Sequence, residues 1–244
     1  MTKMFAILAF LIGCATQNSS AQTAEGVINY EIKTNMHRNI PADRQRMKDM
    51  IPEFNIDEAQ LFFRGDESYY KPIEVEPEPD LDSNPGPGMR MRRPKNETYL
   101  NQAESRIISL REFMGKKYLI EDTLRMRPWK IGTDTKEIAG YLCRKAIITD
   151  AERKMNVVAW FTDALRPFLG PENFNTLPGA VLQVDVNDGE RILSAKQINL
   201  RPLEKNEIEI PKAKSKMTED EYREMVNAQL ERLRANGRNV IIRN

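Results

Sequence analysis

Residues 180–198 read AVLQVDVNDGERILSAKQI, and this stretch decides the fold class. Leu182, Val184 and Val186 alternate with polar residues, which is the period of a strand that buries one face. The Asn-Asp-Gly sequence at 187–189 supplies the backbone freedom that a tight hairpin turn needs. The sequence therefore predicts an antiparallel hairpin with one buried and one solvated face.

Similar short, β-rich segments precede this hairpin at close spacing, a pattern that favours antiparallel sheet. Gly65-Asp66 separates two of them, and residues 42–51 have the spacing of a short amphipathic helix. We expect a mainly β protein with flanking helices, built on a single curved antiparallel sheet or half-open barrel that resembles periplasmic lipoprotein-carrier folds in shape. The predicted strands are residues 27–34, 60–64, 68–73, 98–100, 106–110, 117–120, 138–148 and 155–161.

An amphipathic helix is predicted near the end of the chain, at about residues 218–236. Thr218 and Glu221 have the spacing of a capping box, in which each residue satisfies a backbone N–H of the other. The apolar stripe of this helix needs a surface to pack on, which is either the sheet of its own domain or a partner. The stripe consists of Tyr222, Met225, Val226, Leu230 and Leu233.

Residues 74–96 differ in composition from the sequence on either side. They are rich in proline, with acidic residues first and basic residues after them. A hydrophobic core cannot be built from such a composition. We expect a long disordered loop inside a single β-rich domain of residues 22–244, because strand-like sequence resumes on both sides; a domain boundary is the alternative.

Residues 1–21 have the outline of a secretory signal peptide, with Lys3 preceding an apolar run from Met4 to Leu11. That run is shorter than the roughly 20 residues of a membrane span, so we expect no transmembrane segment in the mature chain. Cleavage before Gln22 gives a free chain, whereas the lipobox-like sequence ending at Cys14 makes that cysteine a candidate lipid attachment site. Both routes predict a periplasmic or extracellular protein.

The charge and ligand composition exclude several function classes. The chain has 37 basic and 36 acidic side chains, so it lacks the basic surplus of a nucleic-acid-binding domain. Two cysteines and one histidine argue against a zinc module. We therefore expect no nucleic-acid partner, no metal and no cofactor.

Candidate catalytic chemistry is sparse. The chain contains no Gly-x-Ser-x-Gly sequence, and Cys143 with His37 is the one conceivable pair of nucleophile and base. Cys143 lies in a strand-like stretch, which favours a small buried thiol. A copper-handling role is a further alternative, because Met89 and Met91 offer thioethers that suit cuprous ion.

Five aromatic residues of the second half of the chain lie in or near the ends of predicted strands. A curved sheet can line a pocket with such residues, or it can bury them in its core. This candidate pocket consists of Trp129, Tyr141, Trp160, Phe161 and Phe168.

Several short motifs together resemble the GLPGLI family, a group of secreted or periplasmic proteins of the Bacteroidota. The opening Gly-Val-Ile-Asn-Tyr-Glu at 26–31 resembles the first strand of that family, and the sequence Leu177-Pro178-Gly179 retains the centre of its signature. The other motifs are Gly140-Tyr141-x-Cys143-x-Lys145-Ala146, Ala159-Trp160-Phe161-Thr162, and Gly170-Pro171 with Phe174.

The resemblance implies an envelope location and a mostly antiparallel β fold, and it implies no activity. In physical terms Leu177-Pro178-Gly179 is a tight turn that precedes the strand at Ala180, because proline fixes one backbone angle and glycine frees the next. Thr123, in Asp122-Thr123-Leu124, resembles the O-glycosylation acceptor of these bacteria and is expected at the surface.

These observations predict a non-enzymatic protein of the cell envelope. On this hypothesis it binds a lipid-like or peptide ligand, or an outer-membrane partner, in an apolar groove. An extracytoplasmic enzyme that uses Cys143 and a copper-handling protein remain the alternatives.

Overall fold

The computed structural model describes residues 25–38, 40, 42–73, 96–150, 155–213 and 215–235. These residues form strands, one helix of seventeen residues, α1 (Glu219–Ala235), and a 3-10 helix at Ala42–Met50. The strands are β1 (Glu25–Asn35), β2 (Phe54–Arg64), β3 (Glu67–Pro72), β4 (Glu97–Asn101), β5 (Arg106–Phe113), β6 (Lys116–Thr123), β7 (Lys130–Ile138), β8 (Tyr141–Asp150), β9 (Met155–Thr162), β10 (Ala180–Val186), β11 (Arg191–Asn199) and β12 (Lys216–Met217).

All of these strands belong to one sheet, in the order β12-β6-β5-β4-β3-β2-β1-β11-β10-β9-β8-β7. Neighbouring strands are antiparallel, except that the two residues of β12 pair with β6 in parallel. The curved sheet does not close, because β12 and β7 lie at opposite ends of the order. The predicted fold class, mainly β with one open sheet and a C-terminal helix, is confirmed.

Two hydrophobic cores lie on opposite faces of the sheet. Ile28 and Leu61 belong to the first core, whereas the adjacent residues Val27 and Phe62 belong to the second. This division follows from the strand itself, in which successive side chains point to opposite faces. The hairpin of β10 and β11 contributes Leu182 and Val184 to the first core, as its alternation predicts.

Residues 163–179, which we call the crossing loop, pack against the first core. The loop contributes Leu165, Leu169, Phe174 and Leu177 to that core. Within the loop, Phe168 N–H donates a hydrogen bond to Leu177 O at 3.1 Å. Between the loop and β10, Val181 N–H donates to Leu169 O at 2.8 Å. The first core is therefore closed by the connection between β9 and β10.

Helix α1 begins with the predicted capping box. Glu221 N–H donates to Thr218 Oγ1 at 3.3 Å, and Thr218 N–H donates to Glu221 Oε2 at 2.7 Å, a bond that lowers the pKa of Glu221. The first turn is attached to the sheet, because the Tyr222 ring lies 5.9 Å from the Tyr118 ring and Arg111 binds Glu219 at 2.8 Å. Beyond that turn the apolar stripe is only partly covered.

Two predicted elements are wrong in detail. Residues 138–148 are not one strand, because Ala139 and Gly140 form a turn with positive φ between β7 and β8. Residues 42–51 are not an amphipathic α-helix: the 3-10 helix is interrupted at Arg44, and Met50 is 82% exposed. The predicted proline-rich loop lies, apart from Asn96, outside the described residues. Across the described ranges, no helix is long and apolar enough to cross a membrane.

Candidate functional site

The second core is covered by residues 200–213, which we call the strap. Leu203 and Ile208 pack against that core. The strap is held to β1 by Leu203 N–H, which donates to Glu25 Oε2 at 3.1 Å. Within the strap, Arg201 pairs with Glu207 and lowers the pKa of that carboxyl to about 2, so the pair stays charged at neutral pH. The strap is thus an irregular segment with defined anchors.

A cavity of about 720 Å³ lies between the strap and strands β3, β4 and β5. This volume falls in the range of small-molecule sites. Polar and apolar side chains share the lining of this strap cavity. They are Tyr69, Glu97 and Leu110 from the sheet, and Glu209, Ile210, Pro211 and Lys212 from the strap.

The polar floor of the strap cavity contains Tyr69 and Glu97, which form one of two reciprocal hydrogen bonds between β3 and β4. Tyr69 and Tyr99 are direct partners in the antiparallel register. Tyr69 Oη donates to Glu97 Oε2 at 2.6 Å, and Tyr99 Oη donates to Glu67 Oε1 at 2.5 Å. Each tyrosine therefore holds the carboxylate of the opposite strand.

Burial raises the pKa of Tyr69 well above its ordinary value, and the hydrogen bond and charge of Glu97 raise it further, as does the charge of Glu209. The phenol therefore stays protonated and acts as a donor throughout the physiological range. Lys71 Nζ lies 5.7 Å from the centre of the Tyr69 ring. The cavity thus places carboxylate acceptors and a hydroxyl held by one of them next to apolar side chains.

A second cavity, of about 390 Å³, lies at the turns between strands at one end of the sheet. Asn187 in its wall accepts a bond from Asn156 N–H at 2.9 Å and donates to Glu190 at 2.8 Å. Its polar groups thus hold the β10–β11 turn together, so we assign this cavity a structural role. It is lined by Arg38, Thr149, Asp150, Met155, Asn156, Asn187 and Asp188.

The five predicted pocket aromatics do not line either of these two cavities. Phe161 is fully buried in the first core, and Trp129, Tyr141 and Trp160 pack partly buried against it. Trp129 Nε1 donates to Thr176 Oγ1 at 2.9 Å in the crossing loop. Phe168 is half-buried in that loop, with a φ of +57°.

Among the other predicted site residues, the structure describes the turn motif and Thr123. Leu177 is buried, Pro178 is exposed, and Gly179 lies directly before β10. Thr123 is exposed at the end of β6. The candidate lipid attachment site Cys14 and the methionines Met89 and Met91 lie outside the described residues.

Cys143 has the environment of a structural thiol. It is fully buried in the first core, and burial raises its pKa to about 11, partly offset by Lys136. A nucleophilic cysteine requires the opposite shift. The Nε2 of His37 lies 2.9 Å from Ile51 O, and is thus engaged with the backbone. Among the residues that the structure describes, no group of three His, Cys, Asp or Glu side chains could hold a metal ion.

Comparison with known proteins identifies the family to which this chain belongs. The family model described as "N-glycanase peptide, N-terminal domain" matches residues 83–224, which is more than half of the chain. The chain belongs to this family. A search of the curated proteins gave no match.

Solved structures of PNGF-II share the fold. The structure in space group P21 aligns with a TM-score of 0.54 at 14% identity, over 83% of this chain and 33% of that chain. The structure in space group C2 gives the same score and identity and covers 32% of that chain. The chain thus spans about a third of the length of the proteins that it resembles.

These comparisons correct two predictions. The resemblance to the GLPGLI family is wrong, because the family model that matches the chain is that of the N-glycanase N-terminal domain. The prediction of a non-enzymatic module for a lipid-like ligand, a peptide or an outer-membrane partner is also wrong, because the family is related to an enzyme.

Sequence reasoning missed the strap cavity, although part of its signal is visible. Glu67-x-Tyr69 and Glu97-x-Tyr99 are the same pattern on two successive strands. Residues two apart share a face of a strand, so the members of each pair lie on one face, and the register Tyr69–Tyr99 brings both pairs to the same face of the sheet. The contribution of the strap could not be read in this way, because it has no periodicity of its own.

Proposed function

We propose that this chain has an enzyme-related function and takes part in the cleavage of N-linked glycans. The observation that carries this proposal is the family match, which extends from residue 83 to residue 224. Within that range lie β4 to β11 and the strap. Since the chain spans only about a third of PNGF-II, its share of the reaction is itself part of the proposal.

The geometry supports contact with the glycan better than it supports covalent catalysis. Cys143 is buried with a raised pKa, whereas the strap cavity presents carboxylates and a tyrosine hydroxyl. Glycans are rich in hydroxyl donors, which such acceptors bind well.

We also propose that the chain works outside the cytoplasm, as one domain of residues 22–244 released from a signal peptide. Lys3 and the apolar run from Met4 to Leu11 support this location. Mass spectrometry of the mature N-terminus tests it: a chain that begins at Gln22 or at acylated Cys14 agrees, and a retained Met1 contradicts it.

The functional proposal is tested with an N-glycosylated peptide and the same peptide without its glycan. The full chain is incubated with each, and the mass of the peptide and the NMR spectrum of the chain are recorded. We expect the glycopeptide alone to lose its glycan or to shift resonances of the chain. A glycopeptide that keeps its mass and is indistinguishable from the bare peptide overturns the proposal.

A further inference from the structure

The strap cavity has two chemically different sides. Ile210 on the strap is 43% exposed, although it is a large apolar residue, and Pro211 lies next to it. Leu110, which is 5% exposed, provides apolar surface on the sheet side. An apolar ledge of this kind can accept the C–H face of a sugar ring.

The polar side is dominated by acceptors. Tyr69 occupies one of the roughly four acceptor positions of the Glu97 carboxylate, which leaves others for a ligand. Glu209 adds a second carboxylate, and its charge reaches Tyr69. Lys212 is the one cationic side chain in the cavity lining.

This lining discriminates between ligands by charge. Two carboxylates favour a ligand with several hydroxyl or amide donors, because hydrogen bonds to an ionised acceptor are strong. The same carboxylates repel an anionic ligand, since like charges at close range in a partly covered site are unfavourable. Neutral pyranoses are uncharged, hydroxyl-rich molecules with one apolar face and therefore meet these requirements.

We propose that the strap cavity is a subsite for a neutral pyranose, with Glu97 and Glu209 accepting its hydroxyl or amide donors and Leu110, Ile210 and Pro211 contacting its ring. The proposal rests on the proposed function for its assignment to N-linked glycans. It assigns the cavity to the uncharged part of the glycan and excludes sialylated ends.

The test is a titration of the full chain with N,N′-diacetylchitobiose as the neutral probe and sialyllactose as the anionic one. Binding is followed by NMR and calorimetry. We expect the neutral probe to shift resonances of Tyr69 and Ile210, and the anionic probe to bind at least about tenfold more weakly. No binding of the neutral probe, or equal binding of both, overturns the subsite.

Variants locate the binding in the cavity. Glu97→Gln keeps the shape but removes the charge, and we expect about a tenfold loss of affinity, the size of a hydrogen bond to a charged group. Tyr99→Phe is the matched control, because it removes the reciprocal bond on the same face but is not in the cavity lining. Ile210→Ala on the exposed strap provides a variant that does not depend on the hydrogen-bonded pair. Thermal unfolding checks that each variant folds.

The two proposals fail separately. If the chain still distinguishes glycopeptide from bare peptide while Glu97→Gln and Ile210→Ala bind the neutral probe like wild type, the subsite is wrong and the proposed function stands. If the neutral probe binds in the cavity but the glycopeptide and the bare peptide behave alike, the subsite stands and the proposed function is wrong.

Discussion

Arg191 of β11 holds Glu172 of the crossing loop in a two-pronged ion pair. Arg191 Nη1 donates to Glu172 Oε2 at 2.8 Å, and Nη2 donates to Oε1. Burial alone would lower the pKa of Arg191, but the adjacent carboxylate raises it overall. Glu172 adopts a φ of +55°, a conformation that non-glycine residues rarely take. The pair therefore fixes the loop over the first core.

Breaking this pair should loosen the loop. The two side chains are 24% and 20% exposed, so removing one leaves a largely covered charge without its partner. We expect Glu172→Gln to lower the free energy of unfolding by about 2 to 3 kcal/mol, at or below the lower end of the cost for a fully buried pair, because both side chains keep some exposure. Urea denaturation measures the change. Asp163→Asn, which breaks the exposed pair with Arg144, is the control and should cost less than about 1 kcal/mol.

Gly179 should not tolerate a side chain. A Cβ there would lie 2.2 Å from the carbonyl oxygen of Thr162, a backbone atom that cannot rotate away. We expect Gly179→Ala to destabilise the protein by about 2 kcal/mol or more. Gly132→Ala is the matched control, because its nearest contact would be an ordinary 3.7 Å. Urea denaturation measures the change. Equal denaturation midpoints for both variants would show that the turn before β10 can shift to accommodate a methyl group.

Helix α1 should depend on its cap more than on its packing. Thr218 satisfies the Glu221 N–H, and contact with the sheet is concentrated at the first turn. We expect Thr218→Ala to weaken the helix by about 1 kcal/mol, seen as faster amide exchange within residues 219–235. Thr133→Ala, in the exposed strand β7, should leave exchange in the helix unchanged.

Cys143 should make stability fall at high pH. Burial raises its pKa to about 11, so between about pH 9 and pH 11 the unfolded chain releases the thiol proton while the folded chain keeps it. The unfolded state then binds fewer protons, and the free energy of unfolding decreases as pH rises.

We expect the free energy of unfolding to fall by about 2 kcal/mol over that pH window because of this thiol. The Cys143→Ala variant should lack this contribution and keep only the pH dependence that other groups give to both proteins. Denaturation at a series of pH values measures the difference between the two slopes. Equal slopes would show that the thiol does not titrate differently in the two states. Slow alkylation of the folded wild-type protein by a thiol reagent provides an independent check.

The parts of the fold that could be predicted are those in which local pattern and burial agree. The hairpin at residues 180–198 is such a case, because its alternation matches the face that the first core buries. The sequence does not predict strand β7 (Lys130–Ile138). This strand lies at the exposed edge of the sheet, and its mostly polar residues show no alternation of apolar and polar side chains. Edge strands with charged side chains lack the pattern that reveals buried ones.

The candidate site could be predicted only in part. The sequence shows that Glu67 and Tyr69 share a face of one strand, and Glu97 and Tyr99 a face of the next. The strap that covers them begins about a hundred residues after Glu97 and is irregular. The resemblance through Leu177-Pro178-Gly179 failed for another reason. The glycine is required by its contact with Thr162, so the motif records a packing constraint that unrelated chains can share.

Val27 and Ile28 are consecutive residues, yet each is anchored in a different interior. The central strands thus contribute side chains to both hydrophobic cores. Unfolding of these strands would expose both cores at once. Although the sheet separates the crossing loop from the strap, loss of these central strands should therefore release both.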